Sequence, residues 1–193
     1  MQKYCRIAIA ISLSISSFCA LSSVPKSLTS ADEVPVLSPQ SQHKTASKRI
    51  SSIFSRSHYK QFKFDDQLSG LVYDRYIKQL DYSRNVFLAA DIKHLEQYRD
   101  KFDDMVESGK LDVAFEIYNL NVLRRLERYN YALSLLDKEF DFTLKESYEF
   151  DREEAQWPAD TAELNELWRK KVKYDALNLK LAGKEWGDIK SVL

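Results

Sequence analysis

The serine–lysine strings that begin at Ser41 and Ser57 have a spacing that could support nucleophilic catalysis. Ser41 precedes Lys44 by three positions, and Ser57 precedes Lys60 by the same interval. On a helix this spacing places the hydroxyl and the amine on one face, as in serine enzymes that use lysine as the base. The first string lies in a serine- and proline-rich segment that offers no pocket to desolvate the amine, and the second lies at a helix junction. We predict that neither pair is catalytic, so an enzyme that uses Ser57 is the weakest of three hypotheses.

Histidines are the next side chains that could carry chemistry. A structural or catalytic metal site needs three or four converging ligands. His43, His58 and His94 are scattered along the chain, and no HExxH spacing occurs. Asp91 shares a predicted helix face with His94, but its position is better explained as a helix N-cap. The sequence therefore predicts no metal-binding residue and no cofactor.

Carboxylates occur as adjacent pairs. The pairs are Asp65–Asp66, Asp103–Asp104 and Glu153–Glu154. Adjacent residues on a helix do not face each other, so they do not form an acid–base pair by themselves. We interpret the first pair as a helix cap, the second as a solvated face and the third as part of a connector. No catalytic and no cofactor-binding residue is predicted.

One predicted helix carries a basic cluster. The cluster comprises Arg124, Arg125 and Arg128, with Tyr129 and Tyr131 nearby. Such a combination can bind single-stranded nucleic acid. Glu127 lies among the arginines, however, and the chain has 29 basic and 29 acidic residues. We predict a solvated face and no nucleic-acid partner; a basic groove for a partner protein is the intermediate alternative.

Composition favours an all-α domain. Apolar residues make up 44% of the 193 positions, which is enough for a packed core. Only four glycines and four prolines occur, so hairpins and phosphate-binding loops are disfavoured. The predicted fold is an irregular multi-helix bundle, residues 46–193, preceded by a signal peptide and an extended arm.

The N-terminus has the pattern of a secretory signal. Lys3 and Arg6 precede a short uncharged run that ends at Cys19, and Ala20–Ser22 follow as a small-residue cleavage site. The run is too short and too rich in serine to span a bilayer comfortably, so no stable membrane insertion is expected. A lipoprotein is the lesser alternative, because Phe18 stands where lipidation needs a small residue. We predict a signal peptide at residues 1–22, a Ser/Pro-rich arm at residues 23–45 and a periplasmic protein.

Apolar periodicity predicts the helices. It begins with a short apolar stripe at Ile50, Ile53 and Phe54. A helix follows from near Asp65, with Asp65 or Asp66 as cap, and another begins at Asp91 and continues through Val106 to a stop at Gly109. The longest is predicted from Leu111 to Lys138. Its two apolar stripes indicate more than one partner helix.

The last part of the chain is predicted to be a connector followed by a helix. Residues 139–159 form a polar, acidic connector, and a helix follows from Asp160 to Gly183. Another helix is predicted to begin at Asp188, only a few residues before Leu193. So short a helix is marginal in water. We expect the chain to be a piece of a longer protein.

Five separated strings resemble one protein family. They are RSHYKQF (56–62), DRYIKQLDYSRNVFLAADI (74–92), SGKLDV (108–113), ERYNYALSLL (127–136) and ELWRKKVKYDALNLKLAGK (166–184). Together they resemble the N-terminal domain of the tail-specific, or C-terminal processing, proteases of Gram-negative bacteria. The resemblance runs from about residue 31 to the end.

The resemblance implies a periplasmic serine endopeptidase that acts on proteins with apolar C-termini. In that family a PDZ-like domain recognises the tail and a Ser–Lys dyad performs the reaction, both downstream of the matched region. No dyad residue can therefore be assigned here. The expected role is a non-catalytic scaffolding or docking domain. Its expected partners are the rest of the protease or an adaptor, and protein substrates; the alternative is a stand-alone periplasmic interaction module.

Overall fold

The structure, a computed structural model, describes residues 30, 34–59 and 63–193. Seven α-helices and no strand are found among them, which confirms the all-α class. The predicted signal peptide and residues 23–29 and 31–33 of the predicted arm lie outside the described residues. The helices are α1 (Ser41–Ser57), α2 (Asp66–Leu80), α3 (Ala89–Leu95), α4 (Phe102–Ser108), α5 (Asp112–Leu135), α6 (Thr161–Leu181) and α7 (Trp186–Val192).

Helix α1 begins at Ser41, inside the range predicted for the arm. The helical region therefore starts five residues earlier than the predicted residue 46. The physical reason is a cap that composition does not reveal: the Gln40 backbone N–H donates to His43 Nδ1 at 3.1 Å. The His43 ring also stacks on Phe115 of α5, with 5.5 Å between ring centroids. The non-helical residues of the described arm are 30 and 34–40.

Helix α2 begins as predicted. Asp65 is the N-cap, and its carboxylate accepts the N–H of Leu68 at 3.0 Å. The opposite side of α2 is buried, and Ser69 there has no exposed surface. The Ser69 hydroxyl donates to the carbonyl of Arg99 at 2.8 Å and accepts the N–H of Phe102 at 2.7 Å.

The prediction of one helix from Asp91 through Val106 is wrong. The chain forms α3, then a 3₁₀ turn at Glu96–Tyr98, then α4. Ser69 stabilises the break, because its hydroxyl pairs with the backbone groups that the interrupted helix leaves free. Leu88, not Asp91, is the N-cap of α3, and the Asp91 carboxylate accepts the Leu88 N–H at 3.0 Å.

Gly109 ends α4 as predicted, with a left-handed φ of 69°. A Cβ at this position would lie 2.8 Å from both Cγ and the carbonyl oxygen of Lys44. Glycine is therefore needed for the turn and also for the close approach of α1. The neighbouring contact between α1 and α4 includes a 2.6 Å hydrogen bond from the Ser47 hydroxyl to the Val106 carbonyl.

The longest helix is α5, with 24 residues, slightly shorter at its end than predicted. It packs against α6. Helix α6 begins after Asp160, whose carboxylate accepts the Glu163 N–H at 2.9 Å, and it stops before Gly183, as predicted. The short helix near Asp188 is also present as α7, which packs on α6, and its Ile189 is fully buried.

An apolar core joins α2, α3, α4 and α5. We call the following residues the apolar core: Tyr73, Ile77, Phe87, Leu95, Phe102, Met105 and Ile117. Phe87 and Ile117 have no exposed surface. The ring of Tyr73 meets that of Phe102 edge-on, with 5.9 Å between centroids. Trp157 of the connector packs against this core from outside the helices.

Candidate functional site

The serine–lysine strings do not form a buried pair in the described residues. Ser41 and Lys44 are both exposed on the first turn of α1. The Ser41 carbonyl accepts the Thr45 hydroxyl at 3.0 Å, and the Lys44 stem packs on Gly109. Ser57 is exposed at the last position of α1, and Lys60 lies outside the described residues. The first string therefore lies on an exposed helix turn and not in a buried site.

The three histidines lie at separate places. His43 caps α1, and His58 stacks on Phe54 with 4.4 Å between centroids. His94 is exposed on α3 beside Gln97. Across residues 30, 34–59 and 63–193, no three histidine, cysteine or acidic side chains are placed to share a metal ion.

The acidic pairs are split between structural contacts and solvent. Asp65 caps α2, and Asp66 is exposed in its first turn. Asp103 is buried, with one carboxylate oxygen that has no hydrogen-bond partner among the described residues, while Asp104 faces solvent. Glu153 contacts Lys78 and the Tyr82 hydroxyl.

The arginines of the basic cluster are used inside the domain. Arg124 forms a two-point ion pair with Asp91, at 2.9 and 2.8 Å, which raises the pKa of its guanidinium. Arg125 donates to the carbonyl of Leu80 at 2.6 Å. Arg124 and Arg125 therefore link α5 to α3 and to the end of α2, and of the three arginines only Arg125 is exposed as the predicted solvated face requires.

Arg128 is the most buried member of the cluster, at 5% exposure. Its guanidinium donates to the Asn165 side-chain oxygen at 2.5 Å and stands 5.5 Å from the Tyr131 ring centre. Burial lowers its pKa. This residue links α5 to α6 and supplies no open basic groove.

Asp81 organises a junction that the sequence analysis did not identify. It is 2% exposed and lies just after α2. Its carboxylate accepts the backbone N–H groups of residues 85, 86 and 87, at 2.8, 3.1 and 3.0 Å. It also accepts the indole N–H of Trp157 at 3.1 Å. One buried carboxylate thus fixes the α2–α3 turn and the connector together.

Arg84 completes this junction at a conformational cost. It has a left-handed φ of 46°, which costs a non-glycine residue about 1–2 kcal/mol. The conformation places its guanidinium 4.6 Å from the Trp157 ring centre and 2.5 Å from the carbonyl of Ala155. A cation over an indole face is favourable and offsets part of that cost. The sequence feature that could have indicated this junction is the string DYSRNVF (81–87), a polar turn directly before two buried apolar residues.

A second anchor holds the middle of the connector on α6. The Glu146 carboxylate contacts Arg169 and lies 2.5 Å from Lys173 Nζ. These two cations lower the pKa of Glu146 to about 2, mainly through the hydrogen bonds that they donate. The connector also packs its Phe150 ring edge-on against Tyr174 of α6, at 4.5 Å between centroids.

The described part of the arm lies along α5. The Asn119 side chain donates to the Leu37 carbonyl at 2.8 Å and accepts the Leu37 N–H at 3.0 Å. A groove of about 620 Å³ runs beside this contact, between the arm, α3 and α5. No described helix is both long enough and apolar enough to cross a bilayer.

The described residues thus define an all-α domain whose turn and connector are fixed to its helices by side-chain anchors and whose arm is hydrogen-bonded to α5. Residues 50–193 match the family described as the tail specific protease N-terminal domain, and the chain belongs to this family. It is also 42% identical, over 192 residues, to the tail-specific protease of Haemophilus influenzae. That alignment covers 98% of this chain and 27% of the relative, so the chain spans about a quarter of the relative's length. The family resemblance found from the five strings is confirmed.

Proposed function

We propose that this chain is a non-catalytic scaffolding and docking domain of a periplasmic tail-specific serine endopeptidase. The whole enzyme would process or degrade proteins from apolar C-termini. The family match carries the proposal. Its expected partners are the remaining domains of the protease or an adaptor, and protein substrates, with no nucleic acid among them.

The geometry supports a scaffold because the connector is anchored at two separate points. Asp81 and Arg84 hold its end through Trp157, and Glu146 holds its middle on α6. A segment without regular structure is therefore held in one position relative to the helices. Such a surface can keep neighbouring domains in a fixed geometry, which is what a protease chamber requires.

The first test measures proteolysis by the purified mature chain. The substrate is a folded reporter with an apolar C-terminal tail, and its polar-tailed version is the control. We expect no tail-dependent cleavage. Cleavage that persists through purification and disappears in Ser57→Ala would overturn the non-catalytic assignment and support the enzyme hypothesis.

The second test measures the scaffolding role directly. The matching segment of the Haemophilus influenzae protease is removed, or replaced by this chain. We expect the shortened protease to lose most of its tail-dependent activity and the chimera to regain it. Full activity without the segment would contradict a scaffolding role.

The localisation is part of the same proposal. We infer export to the periplasm with removal of residues 1–22. Mass spectrometry of the protein from a periplasmic extract should give a mature N-terminus at Ser23. A cytoplasmic protein that retains Met1, or a lipid on Cys19, would contradict it.

A stand-alone interaction module is the second candidate, favoured by exposed apolar residues on α1. Ile50 and Ile53 are 62% and 64% exposed, one turn apart. Apolar residues exposed side by side often mark contact surfaces. Sedimentation of the mature chain, compared with Ile50→Ser/Ile53→Ser, tests this candidate. A monomer at all concentrations, with no difference between the two proteins, would count against self-association through this face.

A further inference from the structure

The contact between Asn119 and the arm has the form of peptide recognition. A single amide side chain pairs with both the N–H and the carbonyl of Leu37, at 3.0 and 2.8 Å. This pairing uses only the backbone of the arm and is therefore indifferent to its side chains. Backbone pairing with an extended segment, combined with a pocket beside it, is a common way to bind peptides.

The arm fills the groove beside Asn119 poorly. Val36 remains 82% exposed and Leu37 remains 44% exposed, although both line the groove. The helical side of the groove is apolar, with Leu95 from α3 and Phe115, Leu120 and Leu123 from α5. The apolar surface that could cover an aliphatic side chain is thus only partly used by the arm.

The hold on the arm is weak enough to be displaced. Both hydrogen bonds at Asn119 are solvent-exposed, and a typical intramolecular hydrogen bond contributes about 0.5–1.5 kcal/mol. Tethering still gives the arm an advantage, because a short flexible tether corresponds to an effective concentration on the order of millimolar. A free ligand therefore has to compete with the arm.

The rim of the groove carries negative charge. Asp112 and Glu116 line it and are both exposed on α5. The third acidic residue there, Asp91, is already paired with Arg124. Two exposed carboxylates beside an apolar groove favour a ligand with a positive charge next to its aliphatic residue.

We propose that the groove between α3 and α5 is a peptide-binding site for an extended segment of a partner protein, with an aliphatic residue and a lysine or arginine about three positions from it. Asn119 pairs with the backbone of the incoming segment. The arm is an internal ligand that occupies the same position until it is displaced. The site does not rest on the proposed function, because it uses only the residues of this chain.

The test measures binding of a fluorescein-labelled peptide by anisotropy. The probe is VPVLSPK, a copy of residues 34–40 with lysine as its last residue, and the protein is the full mature chain. Leu37→Pro removes the N–H that donates to Asn119 and should release the arm. We expect this variant to bind the probe at least tenfold more tightly than the unaltered chain, while Ser38→Ala, which keeps the arm's hydrogen bonds, binds like the unaltered chain.

A second substitution identifies the site. Asn119→Ala, added to Leu37→Pro, removes both the acceptor and the NH₂ donor without adding charge, and it should weaken probe binding at least fivefold. Circular dichroism and a thermal melt establish that each variant is folded. Equal probe binding by the unaltered chain and Leu37→Pro, or binding unaffected by Asn119→Ala, would overturn the proposal.

The charge preference has its own readout. A probe that ends in glutamate, VPVLSPE, should bind Leu37→Pro several-fold more weakly than VPVLSPK at low salt. The difference should shrink as salt rises, because exposed charges are screened. Equal affinities of Leu37→Pro for the two probes at low salt would contradict the proposed preference for a basic residue in the partner.

Discussion

The apolar core and the connector are stabilised by different forces. The core is built from side chains such as Phe87 and Ile117, which have no exposed surface. The connector, residues 139–159, is held by ion pairs from Glu146 and Glu139 to cations of α6, and by ring contacts. Apolar burial is nearly independent of pH and salt, whereas partly exposed ion pairs depend on both. The core and the connector should therefore lose their structure under different conditions of pH and salt.

The largest expected effect comes from a cavity in the core. Phe87→Ala should lower the free energy of unfolding by about 3–5 kcal/mol, because it removes a fully buried ring. Urea titration followed by circular dichroism gives the value. Leu144→Ala, in the connector and 57% exposed, is the matched control and should change it by less than about 0.5 kcal/mol. An equal decrease in the free energy of unfolding for the two variants would contradict the proposed difference between the core and the connector.

The next effect comes from the carboxylate that joins the two regions. Asp81→Asn replaces one acceptor oxygen by a donor that faces backbone N–H groups, and it should cost about 2–3 kcal/mol. Hydrogen exchange should increase at residues 85–87 and around Trp157. The exposed Asp104→Asn is the control. If exchange increases only at residues 85–87, the connector does not depend on Asp81.

Acid should weaken the connector before the core. The pKa of Glu146 is lowered to about 2 from an ordinary value of 4.5. A carboxyl group with a lowered folded-state pKa stabilises the fold above its unfolded pKa, and this stability is lost as the pH falls from about 4.5 towards 2. Glu146→Gln should cost about 1 kcal/mol at pH 7, since the pair is partly exposed. The difference from the unaltered chain should vanish near pH 2.

Denaturant titrations at pH 7, 4 and 2.5 measure this loss. Glu149→Gln, an exposed glutamate in the same connector, is the control and should leave the pH profile unchanged. An identical pH profile for Glu146→Gln and the unaltered chain would show that the ion pairs contribute nothing to stability.

The smallest effect distinguishes two tyrosines at the core. The Tyr76 hydroxyl donates to the Ala114 carbonyl at 2.7 Å, whereas the buried Tyr73 hydroxyl has no partner among the described residues. Burial raises the pKa of both to about 12. Tyr76→Phe should lose about 1 kcal/mol, and Tyr73→Phe should be neutral or slightly stabilising. A loss at Tyr73 equal to that at Tyr76 would mean that the core contains a polar contact that its apolar lining does not reveal.

The sequence predicted the elements that follow local rules. Asp65 and Asp160 cap helices at the predicted positions, and Gly109 ends one with a positive φ, because caps and stops depend on neighbouring residues. The break between α3 and α4 was missed because it depends on Ser69, which is about thirty positions away in the chain. Apolar periodicity continues across the break and gives no sign of it.

The anchors were missed for the same reason. The Asp81–Trp157 contact joins residues that are 76 positions apart, and nothing in the local composition of either segment indicates the pairing. The basic cluster was misjudged because the partners of Arg124 and Arg128 lie on other helices. The groove beside Asn119 depends on where the arm lies, which periodicity does not address.

The Asp81–Trp157 contact also has a consequence for the order of folding. It closes a loop of 76 residues that contains α3, α4 and α5. Closing a loop of this length in an unordered chain costs about 4 kcal/mol of entropy. We therefore expect the helices between the two residues to form first and the Asp81–Trp157 contact to form late. Native contacts of such long range slow the folding of a helical chain that would otherwise form by local steps.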